Sequence, residues 1–154
     1  MLIRIDATDL PGRDFAAGPG FPGYGDVHVA VQRRGRADEL LDPQPGDAPS
    51  ATWVLECTAT PTGSGVVDIT GPYVQGRPAE RFVYLSWDTV DAAGSFTMFR
   101  RAKLMLGDVP PDTVGAALRS GVLRARLGLT DGRGLPLCAR VSPPLVEWSA
   151  GPVG

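Results

Sequence analysis

The sequence predicts a mainly β protein, an antiparallel sandwich or barrel of about eight strands with one short helix near residues 111–119. Three observations support this. The chain has 20 glycines and 15 prolines among 154 residues, and both residue types interrupt helices and form turns. Several segments alternate apolar and polar residues, as half-buried strands do. Helix start and stop signals occur together in only one segment, so a parallel sheet with alternating helices is not expected.

Three segments of the first half show the alternation clearly. In LIRIDAT, residues Ile3 and Ile5 fall on one face, which we expect to point inward. DVHVAVQR places its valines on one face. TWVLECTA places Trp53, Leu55 and Cys57 on the inner face, and VVDIT predicts a further short strand after a turn at PTGSG. Between them, residues 37–41 are compatible with one short turn of helix.

The segment ERFVYLSWD is apolar on both faces, which is typical of a central strand. The extended run FTMFRRAKLML, residues 96–106, predicts another strand, and basic residues would gather in one region if it pairs as a hairpin with residues 80–88. A β-bulge near Arg100 or Arg101 would bring most apolar residues of that run onto one face.

The helix is predicted from VPPDTVGAALRSG. Pro110 and Pro111 stand at its start, Asp112 in its first turn, Arg119 near its end and Gly121 after it. The following segment, VLRARLGLT, predicts a strand that pairs as a hairpin with LPLCARV across the turn pair Asp-Gly.

The length fits one domain over residues 1–154. Two parts of it are expected to be irregular: a Gly/Pro-rich loop at 9–25, too long for an ordinary connection, and a partly ordered tail at 142–154. The start of the chain has neither a basic lead nor a long apolar segment, and no run suits a membrane span. We therefore expect a cytoplasmic protein, with Cys57 and Cys138 as buried reduced thiols.

Composition argues against several functions. The net charge of −2 disfavours a general nucleic-acid binder. A single histidine, His28, argues against a histidine-based zinc site and a Ser-His-Asp triad, and no GxSxG or phosphate-loop motif is present. We predict no cofactor, no metal site and no identifiable catalytic residue.

Four basic residues form the candidate ligand site. Arg101 and Lys103 share one face of the predicted strand, about 6.6 Å apart at ~3.3 Å per residue. Arg77 comes from the adjacent connection and Arg81 from the partner strand. Converging guanidinium groups suit carboxylate or phosphate ligands. The alternative interpretation is structural: these charges pair with acids such as Glu80 and Glu56, or protect a sheet edge.

The segments TDLPGR, VHVAVQ, PGDAPSA, GPYVQGR, RFVYLSW, MFRRAKLML, RLGLTD and PPLVEWS together resemble a family of small single-domain bacterial proteins of unknown function from high-GC genomes. The resemblance covers nearly the whole chain. It implies a stand-alone cytoplasmic protein and assigns no activity, cofactor or site residue.

The sequence thus favours a non-catalytic binding or interaction domain whose ligand is an anionic small molecule or an acidic peptide or protein partner. An alternative is a small enzyme that uses a carboxylate, or Tyr73 or Tyr84, in a β-barrel pocket. A third is an obligate partner of another protein, or a homodimer formed through a sheet face. Neither nucleic acid nor a membrane is expected as a partner.

Overall fold

The computed structural model describes residues 1–7, 27–33, 36–41, 51–90, 96–128 and 145–151. The chain is mainly β, as predicted, and eleven strands lie in this described part instead of about eight. They are β1 Leu2–Ala7, β2 Val27–Arg33, β3 Arg36–Leu41, β4 Ala51–Glu56, β5 Thr58–Pro61, β6 Val67–Thr70, β7 Val74–Gln75, β8 Phe82–Val90, β9 Phe96–Met105, β10 Val122–Gly128 and β11 Leu145–Ala150. A 3₁₀ turn, Leu106–Asp108, and helix α1, Pro111–Ser120, lie between β9 and β10.

The strands form two larger sheets and one isolated hairpin. Sheet one has the order β11-β10-β1-β4. Sheet two has β8 at its centre, with β9 on one edge and both β2 and β7 on the other, and β3 beyond β2. The hairpin consists of β5 and β6. All described pairs are antiparallel except β1 with β10, so the expectation of a purely antiparallel fold was wrong for that pair.

One hydrophobic core joins residues of the two larger sheets with residues of the β5–β6 hairpin, the 3₁₀ turn and α1. Inward-facing residues predicted for sheet one, such as Ile3 and Trp53, are buried, and described residues of sheet two join them in one hydrophobic cluster. The buried members from the strands are Ile3, Ile5, Val31, Trp53, Leu55, Ile69, Val74, Val83, Leu85, Leu104, Leu123, Ala125 and Leu127. Period-two alternation therefore predicted most of the core correctly.

The basic run at 96–105 is a strand, as predicted, and it pairs with β8 in antiparallel orientation. Phe82 opposes Met105, and Leu85 opposes Ala102. The irregularity lies nearer the start of β9 than predicted: Thr89 opposes Met98 and Val90 opposes Phe96. The bulge is therefore at Thr97, and the prediction of a bulge near Arg100 or Arg101 was wrong.

Residues 37–41 belong to a strand and not to the predicted turn of helix. β3 pairs with β2, with Arg33 opposite Arg36, which leaves two residues for the hairpin connection. A helix of one turn has little stability of its own, so the backbone pairing available beside β2 prevails.

Helix α1 begins and ends where its sequence signals predict. Pro111 opens it, Asp112 lies in the first turn and Arg119 in the last. Gly121 ends it in the left-handed conformation, with φ of 82°, and donates its backbone N–H to the carbonyl of Ala117. Glycine adopts that conformation without the steric strain that a Cβ would introduce.

Some predictions fall on other parts of the chain. The loop at 9–25, Cys138 and the proposed strand LPLCARV lie outside the described residues. In the described structure the neighbours of β10 are β1 and β11. The tail contributes β11, and the half-buried indole of Trp148 in this strand packs against the core.

Candidate functional site

A cleft of about 500 Å³ opens between the β5–β6 hairpin, the turn before β8, the 3₁₀ turn and helix α1. Its walls are mostly apolar. Val67 and Ile69 come from β6, Leu106 from the 3₁₀ turn, and Val114 and Leu118 from α1. The volume lies in the range of about 300–1,000 Å³ that is typical of small-molecule sites.

The rim of the cleft exposes apolar side chains to water. Among the residues whose side chains the structure describes, three large apolar ones are exposed, namely Leu2, Val66 and Leu118. Val66 is 58% exposed and Leu118 is 43% exposed, and both line the cleft. Apolar surface concentrated at one concavity is typical of a binding site.

Within the described structure, the only charged residues that line the cleft are Asp68 and Arg81. Arg81 Nε donates to Asp68 Oδ1 over 2.9 Å, and Nη2 donates to Oδ2 over 3.0 Å. Arg81 Nη1 also donates to the backbone carbonyl of Gly76. The two side chains are only 15% and 18% exposed, so this bidentate pair is a firmly positioned part of the wall.

The pair changes the acid strength of its carboxylate. Hydrogen bonds from Arg81 hold the pKa of Asp68 below its usual value, because they favour the charged form. The same bond raises the pKa of Arg81. Asp68 is therefore ionised at neutral pH, and it is a poor proton acceptor.

Backbone geometry in the turn before β8 supports the position of Arg81. Gly76 has φ of 86°, and an added Cβ would lie 2.3 Å from the carbonyl oxygen of Glu80, so only glycine fits. Ala79, also in the cleft wall, has φ of 69°, a region that L-residues other than glycine rarely adopt. A non-glycine residue held in this region is common at ligand sites.

Two glycines of the cleft wall have room for a side chain. An added Cβ at Gly115, inside α1, would meet only Arg119 Nη1, at 3.5 Å. At Gly107, in the 3₁₀ turn, the nearest atom would be the carbonyl oxygen of Ala79, at 3.9 Å. Neither position needs a glycine to avoid a clash. A helix with glycine in its interior is less stable than the same helix with alanine there by about 0.8–1.0 kcal/mol. Packing within the fold therefore does not require Gly115, which lines the cleft.

The structure places the four predicted site residues in different surroundings. Arg81 lines the cleft, as described above. Arg77 lies in the same turn and is 83% exposed, with its Nε 2.9 Å from Glu80 Oε2. Lys103 Nζ lies 4.5 Å from the centre of the Phe82 ring, a cation–π contact.

Arg101 opposes Ser86 in the register of β8 and β9, and its side chain lies outside the described residues. The pairing of Arg77 with Glu80 agrees with the structural interpretation of the basic residues. Arg77 and Lys103 do not line the cleft, which leaves Arg81 as the one predicted site residue that the described structure places there.

Sequence reasoning missed Asp68, Gly115 and Leu118. Asp68 is thirteen positions from Arg81, and only the fold brings them together. Gly115 did carry a signal, because a glycine in the middle of an otherwise well-formed helix motif calls for an explanation.

A second polar cluster lies on the outer face of sheet one. Asp6 accepts hydrogen bonds from Arg4 at 3.0 Å, from Thr52 at 2.8 Å and from Arg124 at 3.5 Å. These residues come from three adjacent strands, so the cluster joins β4, β1 and β10 across the sheet.

The tyrosines considered for catalysis lie elsewhere. Tyr73 packs against the core, and the ring of Tyr84 lies 6.4 Å from that of Phe82. Within the described residues, no three His, Cys, Asp or Glu side chains gather in a group that could hold a metal ion. No helix in that part of the chain is long and apolar enough to cross a membrane.

The profile of one protein family, "Family of unknown function (DUF5990)", matches residues 1–151. Because the match covers nearly the whole chain, the protein belongs to this family, in agreement with the resemblance found in its sequence. No curated protein matches the chain, and no solved structure does.

Proposed function

We propose that this DUF5990 protein is a non-catalytic binding domain whose cleft between α1 and β6 takes a small, mostly apolar molecule. The observation that carries the proposal is Gly115. This glycine weakens the helix although the fold has room for a larger residue there, and it lines the cleft, so we attribute its presence to the cleft.

The size and lining of the cleft favour a small molecule over an acidic peptide. An acidic peptide needs several unpaired cations, whereas the described walls of this cleft present one guanidinium already paired with Asp68. The remaining walls are apolar and suit a hydrocarbon body, which gains about 0.8 kcal/mol for each buried CH₂ group.

The chemistry of Asp68 favours binding over catalysis. A general base works best with a pKa near the working pH, which usually means a raised carboxyl pKa. Arg81 lowers the pKa of Asp68 instead. The pair is therefore suited to positioning a ligand and poorly suited to proton transfer.

Isothermal titration with eight-carbon probes tests this proposal. Octanoate, octanol, octanamide and octylamine share one apolar chain and differ in the head group. We expect at least one of them to bind with a Kd of about 1 mM or tighter, equivalent to about −4.1 kcal/mol. Gly115→Leu adds a four-carbon side chain to the wall of the cleft and should weaken that binding at least about tenfold, or about 1.4 kcal/mol.

Asp112→Leu is the matched control, because Asp112 is an exposed residue of α1 that does not line the cleft. Circular dichroism should show both variants folded, and the control should bind like the wild type. Failure of all four probes to bind, or equal binding by the Gly115→Leu variant, would show that the cleft is not a ligand site.

A further inference from the structure

The polar end of the cleft indicates which head group the ligand carries. Resting on the function proposed above, we propose that the ligand is a monocarboxylic acid, whose carboxylate is held by the free edge of the Arg81 guanidinium while its apolar body occupies the cleft. This assignment depends on the donors of Arg81, on the charge of the cleft and on the shape of a carboxylate.

A guanidinium has five N–H donors. Among the described residues, Arg81 uses three of them, on Asp68 Oδ1, Asp68 Oδ2 and the carbonyl of Gly76. One N–H on each terminal nitrogen therefore remains. In the proposed complex the Gly76 carbonyl accepts from the Nη1 N–H on the Cδ side. The other N–H of Nη1 and the remaining N–H of Nη2 then point the same way, and they can donate to the two oxygens of one carboxylate in a parallel pair of hydrogen bonds.

The anchors of Arg81 make this edge a prepared binding element. Asp68 and the Gly76 carbonyl hold the guanidinium from two sides, and the side chain is only 15% exposed. A ligand that binds to it need not restrict a mobile arginine, so less conformational entropy is lost on binding.

The charge of the cleft selects among oxyanions. Asp68 and Arg81 cancel, and no other charged residue of the described part lines the cleft. A phosphate dianion would bring two negative charges to a site without net positive charge. A carboxylate brings one negative charge, and its two oxygens match the two remaining N–H groups in number.

Other head groups satisfy this edge less well. An amide offers one oxygen, and its NH₂ group would face a guanidinium donor. An alcohol accepts only one of the two hydrogen bonds in the required direction, and an ammonium group accepts none. A buried donor left without a partner weakens the complex, because its hydration is lost and not replaced.

The test compares the four eight-carbon probes by isothermal titration on the wild type. We expect octanoate to bind at least about tenfold more tightly than octanol, octanamide or octylamine, a difference of about 1.4 kcal/mol. If octanol or octanamide binds as tightly as octanoate, the carboxylate proposal is wrong, while binding to the cleft still stands. If none of the probes binds, the proposed function itself fails.

A double variant assigns the preference to the cleft pair. Arg81→Gln with Asp68→Asn removes both charges together, so neither charge is left without its counter-charge. It should abolish the preference for octanoate while octanol binds as before. The matched control is Arg77→Gln with Glu80→Gln, an exposed pair in the same turn that does not line the cleft. Persistence of the preference in the first variant, or its loss in the control, would overturn the assignment.

Discussion

Replacing Gly115 with alanine should make the protein more stable. The nearest neighbour of the added Cβ is Arg119 Nη1 at 3.5 Å, an ordinary van der Waals distance. No atom has to move. Gly115 lies inside a ten-residue helix, so the substitution removes the conformational freedom that glycine has in the unfolded chain.

The size of the effect follows from helix propensity. Alanine is favoured over glycine in a helix interior by about 0.8–1.0 kcal/mol. The methyl group stays partly in contact with water in the cleft, so we add little for hydrophobic burial. We expect the free energy of unfolding to rise by about 0.5–1 kcal/mol, which raises the Tm of a protein of this size by about 1–4 °C.

Urea unfolding followed by circular dichroism measures this change. Ala116→Gly, at the next position of the same helix, is the matched control and should lower the free energy of unfolding by about the same amount. A loss of stability in Gly115→Ala would refute the reasoning, because the fold itself would then require this glycine and an open cleft would no longer be needed to explain it.

Two other predictions concern titratable groups. The lowered pKa of Asp68 contributes stability that is present above the ordinary aspartate pKa of 3.8 and is lost as the pH falls through the lower value of the folded state. As the pH falls below about 4, the wild type should therefore lose more stability than the Arg81→Gln/Asp68→Asn variant in acid titrations followed by circular dichroism; equal losses would contradict the pairing. Burial raises the pKa of Cys57 to about 11, so only about 0.1% of this thiol is thiolate at pH 8. In a Cys138→Ser background, a thiol reagent should label Cys57 only in denaturant, and fast labelling of the folded protein would show that the thiol is accessible.

The fold was largely predictable because its signals are local. Alternation along β1, β4 and β10 identifies the buried residues, and the prolines and Gly121 give both ends of α1. The parallel pairing of β1 with β10 was not predictable, since the two strands lie far apart in the chain and alternation does not specify a neighbour. Residues 37–41 were misassigned for a related reason, because pairing with β2 outweighs a weak local preference.

The candidate site was predicted only in part. Basic residues are visible in the sequence, but their partners are not. Arg77, Arg81 and Lys103 are all basic residues in the sequence. In the fold, their partners are an exposed carboxylate, a carboxylate in the cleft wall and an aromatic ring, respectively. A cleft made from β6, a 3₁₀ turn and α1 is a consequence of tertiary packing, which periodicity within single elements does not describe.

The most direct test of the central claim is a nuclear magnetic resonance titration of the ¹⁵N-labelled wild-type protein with octanoate. Backbone amide shifts should change with ligand concentration around the cleft, at Asp68, Gly107, Gly115 and Leu118, and stay constant on the outer face of sheet one, at Arg4 and Arg124. Shifts confined to sheet one, or no shifts at all at millimolar octanoate, would contradict the assignment of this cleft as the binding site.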